Sequence, residues 1–432
     1  MLYQAFQAMQ DMLAPARLAA GLIARATEVG TGQKGALPWA GLMRADGAAA
    51  DGQRSGVAEP WVRRVHALAE TFGAAKFTHA HPGYNIGAVQ VGNRMVPVRE
   101  EIVLDAPFGN LLHFAKGDPD DDTLPPQPKM LVVAPLSGHY ATLLRSTVTS
   151  LLRDHDVYIT DWKNARDIPV AEGRFGFDEY VDYTMRFMRE LGPNSHMISV
   201  CQPCVPALVA VAVMAQDKDP CQPRTMTLMG GPIDTRVGRT VVNELSAAHT
   251  IDWFRANLIS AVPRRWKGRG RRVYPGFLQL TAFMSMNMGR HMDQFRKFYQ
   301  ALADGDTAAA EGIRDFYTEY FAVLDLTEEF YLDTVERVFI NATLAEGRME
   351  FRGRKVDCGA IYRTALLTVE GERDDICGVG QTAAAHLLCT GLRPHMKRHY
   401  LQPNVGHYGI FAGSKWDRQV YPQVKAHVLA MG

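Results

Sequence analysis

The chain lacks most of the features that would assign a protein to a class at sight. Its formal charge is +1 over 432 residues, so no global field draws it toward nucleic acid or an anionic membrane. Cysteine is scarce, with six residues, too few for a disulfide framework in so long a chain. There is no long apolar run either. The longest, around Val205 to Ala215, is about half of the roughly 20 residues a membrane span needs. The start, MLYQAFQAMQDMLAPARLAAGL, has no basic segment leading into a continuous apolar one, and so does not read as a secretory signal. Its Leu2, Phe6, Met9, Leu13 and Leu18 fall instead at the spacing of an amphipathic docking helix. The expectation is a soluble, cytoplasmic protein with reduced thiols, where a cysteine that matters acts through its thiolate.

What is present is an ordinary globular composition, 47% hydrophobic and 22% charged, arranged with a clear rhythm. Residues 1–80 read as a helical extension with a Gly/Ala-rich loop near 30–57. THAHPGYNIGAVQVGNRMVPVREEIVLDAPFGNLLHFA then alternates like two or three antiparallel strands. From MLVVAPL (130–136) onward, short β-branched apolar runs alternate with helical stretches: DVYITDW, HMISV and TMTLM. Such runs are strands buried on both faces of a parallel sheet. Residues 233–357 read as a mostly helical insertion, and the rhythm resumes at ALLTVEG (365–371) and HMKRHYLQP. The expected core is therefore 81–232 with 358–432, and 233–357 forms a cap.

At the third buried strand the chain reads HMISVCQPCVPALVAV. Ser199-Val200-Cys201-Gln202-Pro203 fits the strand–turn–helix frame of a nucleophile elbow, with Cys for Ser, and with Ser and Pro where glycines usually flank the nucleophile. The following helix directs its N-terminal amides at Cys201, an environment that favours a thiolate. Taken alone, this segment leaves other readings open. Cys201 and Cys204 could be buried core thiols, a redox pair or half a zinc site, although no second closely spaced Cys/His pair accompanies them. Downstream partners shift the balance. Asp374 lies on the loop after ALLTVEG, and His407 sits in the glycine-flanked loop of LQPNVGHYGIFAG. Nucleophile, acid and His in that order, each at a strand end, is the order of an α/β-hydrolase. The expected fold class is thus α/β, an α/β-hydrolase with a helical cap and an N-terminal helical extension. An oxyanion hole would take the backbone N–H of Gln202 and one from the loop after the first buried strand, Ser137 or Gly138. His139 is a candidate substrate contact, against the plainer reading of a structural histidine. Nothing in the pattern calls for a metal or an organic cofactor.

The sequence resembles the intracellular polyhydroxyalkanoate depolymerases, specifically poly(3-hydroxybutyrate) depolymerases with a cysteine nucleophile. The resemblance is carried by MLYQAFQAMQDMLAP, APLSGHYATLLRSTV, VYITDWKNARDIP, SVCQPCVPAL, GGPIDTR, VYPGFLQLTAFMSMN, TVEGERDDICGVGQT and PNVGHYGIF, and it runs over nearly the whole chain. It implies a cytoplasmic enzyme at the surface of polyester granules, with Cys201 as nucleophile, Asp374 as acid and His407 as base. It also favours Asp374 over Asp375, through the G-x-x-D turn after the strand. Coenzyme A in place of water as acyl acceptor would yield a 3-hydroxyacyl-CoA from the same thioester. Two rivals remain: a polyhydroxyalkanoate synthase, which usually carries glycine where this chain has Pro203, and a non-enzymatic granule coat using the Met- and aromatic-rich stretch Phe277–Phe298. The basic run at 264–272 reads as a solvated loop, or as a patch for an anionic granule coat. The partners expected are the polymer or granule surface, with a homo-oligomer left open.

Overall fold

The computed structural model describes residues 2–28, 60–74, 76–117, 124–286 and 288–431. The Gly/Ala-rich loop read near 30–57 lies outside the described residues. Seven strands come first: β1 (Ala88–Val91), β2 (Arg94–Ala106), β3 (Gly109–Lys116), β4 (Lys129–Val133), β5 (Asp156–Trp162), β6 (His196–Val200) and β7 (Thr225–Met229). Five short ones follow: β8 (Ser260–Ala261), β9 (Arg272–Tyr274), β10 (Leu326–Thr327), β11 (Glu350–Phe351) and β12 (Arg354–Lys355). The last two are β13 (Ala365–Gly371) and β14 (Lys397–Gln402).

One nine-stranded sheet carries the core, in the order β1-β2-β3-β5-β4-β6-β7-β13-β14. The β1–β2–β3 meander is antiparallel and joins β5 antiparallel, whereas β5, β4, β6, β7, β13 and β14 run parallel. β6, β7 and β13 are buried at every position, as their β-branched, Met- and Leu-rich sequences require when helices cover both faces. The crossovers between these parallel strands run through helices that include α3 (Arg145–Leu151), α4 (Phe177–Leu191) and α5 (Cys204–Gln216). Helix α5 is apolar all round and buried from Cys204 to Ala215, the pattern of a helix enclosed in a core.

By internal contacts the chain divides into two compact units: Met1–Ala80 with Gln279–Val323, and His81–Leu278 with Leu324–Gly432. In the first unit α1 (Leu2–Glu28) packs on α2 (Pro60–Ala74) through Ala20, Ala24 and Ala69. Met9 and Leu18, read from the sequence as part of the docking face of α1, are exposed; the small alanines make the contact because they let the helix axes approach closely. The later helices of this unit, α9 (Met288–Asp304) and α10 (Thr307–Tyr320), are held by Phe298, Ala301 and Ala310 against Ala74 and by the Arg314–Glu70 ion pair at 3.1 Å. Helices α6 (Val241–Ala248), α7 (Ile251–Leu258) and α11 (Glu328–Thr334) belong to the second unit, and α8 (Gly276–Met286) spans the division. The stretch 233–357, expected as one helical insertion, is thus shared between the units and also contains β8 to β12. Strands of two or three residues leave no periodicity to detect.

The basic run is not a uniform solvated loop. Arg271 is buried, and its guanidinium donates to the carbonyls of Ile168, Gly173 and Pro169. Trp266 lies 3.8 Å beneath the guanidinium of buried Arg166. A Cβ on Gly268 would stand 2.5 Å from the Arg166 carbonyl, so glycine is what lets this loop close down on residues 165–166.

Candidate active site

The C-terminal ends of the parallel strands form one edge of the sheet, where ligand sites of open α/β folds lie. β6 ends at Val200, and the chain turns at once through Cys201 into α5. Cys201 has φ +69°, a left-handed conformation that costs an L-residue about 1–2 kcal/mol. Neighbouring groups hold it there. The Cys201 N–H donates to the Met229 carbonyl at 2.7 Å, and the Cys201 carbonyl accepts from Cys204 N–H at 3.0 Å. Pro203, the residue before α5, has φ −59°, a helical value its ring already favours. The turn stands the partly exposed thiol of Cys201 clear of the strand, as an elbow must.

Cys204 has a different fate. It is fully buried, and its thiol points at the carbonyls of Ser199 (3.3 Å) and Met229 (3.7 Å). Burial raises its pKa, with little relief from these contacts. A thiol kept protonated in the core is neither a nucleophile nor a redox partner. Of the C-x-x-C pair, only Cys201 is placed for chemistry.

Asp374 and His407 arrive on the loops after β13 and β14. His407 Nδ1 and Asp374 Oδ2 are 2.7 Å apart, and both side chains are buried. The other carboxylate oxygen, Oδ1, accepts the N–H groups of Ile376 (2.9 Å) and Cys377 (2.8 Å), so the carboxylate has no freedom to turn away. Asp375 is exposed, and Asp374 is the aspartate in contact with His407. Burial of the imidazole opposes its charge, yet the Asp374 carboxylate and the Cys201 sulfur outweigh it, and the pKa of His407 stands well above the usual value. Its Nε2 is buried without a hydrogen bond of ordinary geometry. The far side of the ring rests on Gly230, where a Cβ would lie 3.2 Å from Cε1.

This ordering extends behind the site. Buried Glu370, the penultimate residue of β13, accepts the N–H groups of Gly380, Thr382 and Ala383 at 2.9, 2.7 and 2.9 Å. It thereby ties down the segment that begins with Asp374. Thr382 in turn bonds Gly231 in both directions, at 2.9 and 3.0 Å. The sequence reading missed Glu370, Gly230 and Gly231 as site-shaping residues. An acid inside a buried strand and paired glycines directly after one were the available signals.

The two oxyanion candidates occupy adjacent loops. Gln202 N–H makes no hydrogen bond among the described residues. β4 pairs with β6 in a register that sets Val133 beside Ser199, so the chain from Ala134 to Tyr140 leaves the sheet next to the elbow. Ala134 is fixed by its N–H to Thr160 Oγ1 (2.9 Å) and by its carbonyl, which accepts from Trp162 Nε1 and Tyr180 OH, both at 2.9 Å. Ser137 and Gly138 follow, the latter at φ +101°, which glycine alone adopts readily. His139 is buried.

A thiol on a strained turn after one strand, a buried acid after a later one and an imidazole after the last define the α/β-hydrolase class. Residues 230–431 match the family described as PHB de-polymerase C-terminus. The matched segment contains Asp374 and His407 and begins after Cys201. No curated protein is similar enough to match. Similar solved structures include a 2-hydroxy-6-oxo-6-phenylhexa-2,4-dienoate hydrolase from Rhodococcus sp. strain RHA1, at 12% identity over 77% of this chain and 99% of that one, with a TM-score of 0.42. Another is a thermophilic esterase from Thermogutta terrifontis, at 13% identity over 77% and 98% of the two chains, with a TM-score of 0.40.

Proposed function

We propose that the protein hydrolyses the ester bonds of poly(3-hydroxybutyrate) through Cys201, His407 and Asp374. The observation that carries this reading is the elbow thiol of Cys201 acting on an imidazole that Asp374 grips at 2.7 Å. His407 Nε2 takes the proton from Cys201 Sγ, while Asp374 fixes the tautomer and offsets the imidazolium charge. The thiolate attacks an ester carbonyl of the polymer. The oxyanion is held by Gln202 N–H and by an N–H of Ser137 or Gly138. As the C–O bond breaks, the imidazolium protonates the departing hydroxyl end, leaving a 3-hydroxyacyl thioester on Cys201. Water then gives a proton to His407, attacks the thioester and releases 3-hydroxybutyrate or a short oligomer, returning the proton to sulfur.

The setting would be the surface of cytoplasmic polyester granules. The test is release of 3-hydroxybutyrate from amorphous polymer, read alongside mass spectrometry of the trapped enzyme. Cys201→Ala should abolish release, and Cys204→Ala should retain it within a few fold. An acyl adduct on Cys204 would overturn the assignment. So would chain growth from 3-hydroxybutyryl-CoA without release of acid from polymer, which is the synthase outcome.

A further inference from the structure

The residue after the nucleophile offers more than its backbone. Gln202 is 7% exposed, and its carboxamide oxygen Oε1 is buried with no hydrogen-bond partner among the described residues. Its Nε2 donates to Thr334 Oγ1 over a long 3.4 Å. An unsatisfied buried amide atom costs about 1–3 kcal/mol, and its survival in a native structure calls for an explanation. The wall around it is held by contacts of its own. Thr334 ends α11 and leads into the π-helical turn Val335–Ile340, a geometry that recurs at functional sites. Helix α11 is anchored by the Thr327 hydroxyl, which donates to the Phe175 carbonyl, and by Phe330 stacked 5.2 Å from Tyr180. The π-helical turn is tied to the loop after β7 by the Thr235 hydroxyl, which donates to the Val338 carbonyl at 3.1 Å.

A carboxamide presents nearly the same shape when turned over, and the Thr334 hydroxyl donates as readily as it accepts. In one setting Oε1 is the unspent atom; in the other it is an N–H of Nε2. Either way one hydrogen-bonding atom stands unused, a single side chain away from the backbone N–H assigned to the ester carbonyl. A plain alkanoate ester offers that atom nothing. A 3-hydroxyacyl group carries an oxygen on the second carbon from its carbonyl. As a free hydroxyl at a chain end that oxygen donates to Oε1, and as an ester oxygen within a chain it accepts from Nε2.

We propose that Gln202, set by Thr334, is the subsite that reads the C3 oxygen of the acyl group and so selects 3-oxygenated esters. The proposal rests on the ester-hydrolase reading of Cys201. The test compares methyl 3-hydroxybutyrate, methyl 3-acetoxybutyrate and methyl butyrate, following methanol release, in the wild type, Gln202→Leu and Thr334→Val. The wild type should prefer a 3-oxygenated ester, with Gln202→Leu reducing the ratio of kcat/KM over methyl butyrate about tenfold. Thr334→Val should reduce the ratio by a smaller factor and stands in should Gln202→Leu fail to fold. A larger loss on the hydroxy ester supports the Oε1 setting, and on the acetoxy ester the Nε2 setting. Equal losses on all three esters, or unchanged ratios, overturn the subsite while the ester-hydrolase reading stands. Absence of Cys201-dependent turnover on both 3-oxygenated esters overturns that reading itself.

Discussion

The strain at the elbow can be measured by comparing Cys201→Ala with Cys201→Gly. Both remove the sulfur, so their difference isolates the backbone and one methyl group. At an ordinary position glycine is the worse choice by about 0.5–1 kcal/mol, because it loses more chain entropy on folding. At φ +69° the alanine variant also carries the left-handed penalty of about 1–2 kcal/mol, and the glycine variant does not. The sign should therefore reverse, with Cys201→Gly the more stable by about 1 kcal/mol. The hydrogen bonds from Cys201 N–H to Met229 and from Cys204 N–H to Cys201 are backbone bonds and survive in both. The assay is denaturant unfolding, read as a shift in midpoint at constant slope. Neither variant should turn over ester. If Cys201→Gly is less stable than Cys201→Ala by the ordinary margin, the turn is not held in a left-handed conformation. The link from backbone strain to an exposed nucleophile would then fail.

Asp374→Asn should lower kcat roughly 10³–10⁴-fold. It should also move the acid limb of kcat/KM to lower pH, because burial would then depress the imidazole with less opposition; a limb that stays in place contradicts the grip on His407. Gly230 has φ +56°, and a Cβ there meets Ile410 Cδ1 at 2.8 Å as well as the His407 ring. Gly230→Ala should cost about 1–2 kcal/mol and lower turnover about tenfold or more by displacing the imidazole. Adding Ile410→Val should recover stability ahead of activity, and wild-type kinetics for Gly230→Ala would refute the contact. Burial holds His155, His196 and His427 at about 4, below the unfolded value near 6.5. Their contribution to stability is complete above about pH 6.5 and is lost as pH falls toward 4. Urea midpoints should therefore drop between pH 7 and 5, on the order of 1 kcal/mol for each histidine, and equal midpoints would exclude this linkage.

The parallel sheet was legible because β4, β6, β7 and β13 are short, β-branched or Leu/Met-rich runs set between helical periods, which burial on both faces demands. Cys201 directly follows such a run and Asp374 lies three residues past another, whereas His407 follows the polar, largely exposed β14 and drew attention only through its glycine-flanked loop. Other features left no local trace. The packing of α2 against α9 and α10 depends on Phe298, on alanines that look like neutral helix formers and on the Arg314–Glu70 pair, none of which signals its distant partner in sequence. The two-residue strands β8 and β10 fall below any periodicity. Arg271 looked like one cation in a solvated run, because its three carbonyl partners come from residues 168–173, about a hundred positions away. Gln202 and Thr334 are 132 positions apart, and an unsatisfied carboxamide is visible only once its surroundings are.

The weakest part of the sequence motif turns out to have a structural counterpart. An elbow normally carries glycine two residues before and two after its nucleophile, so that strand, turn and helix can pack closely. Here Ser199 and Pro203 hold those places, and Cys204 brings a further side chain into the tightest point. The close approach is met from the neighbouring strand. A Cβ on Gly231 would fall 2.1 Å from Cys204 Cβ, 2.4 Å from its sulfur and 2.9 Å from the Cys201 carbonyl, contacts no side chain tolerates. Gly230 makes the same allowance for His407. The glycines missing from the elbow therefore stand at the end of β7, where one pair makes room for both the Cys201 turn and the His407 ring. The C-x-x-C spacing follows from the same arrangement. Cys204 fills the space beside Gly231 with a small, buried, protonated thiol, and Cys201 is left as the thiol that faces the imidazole.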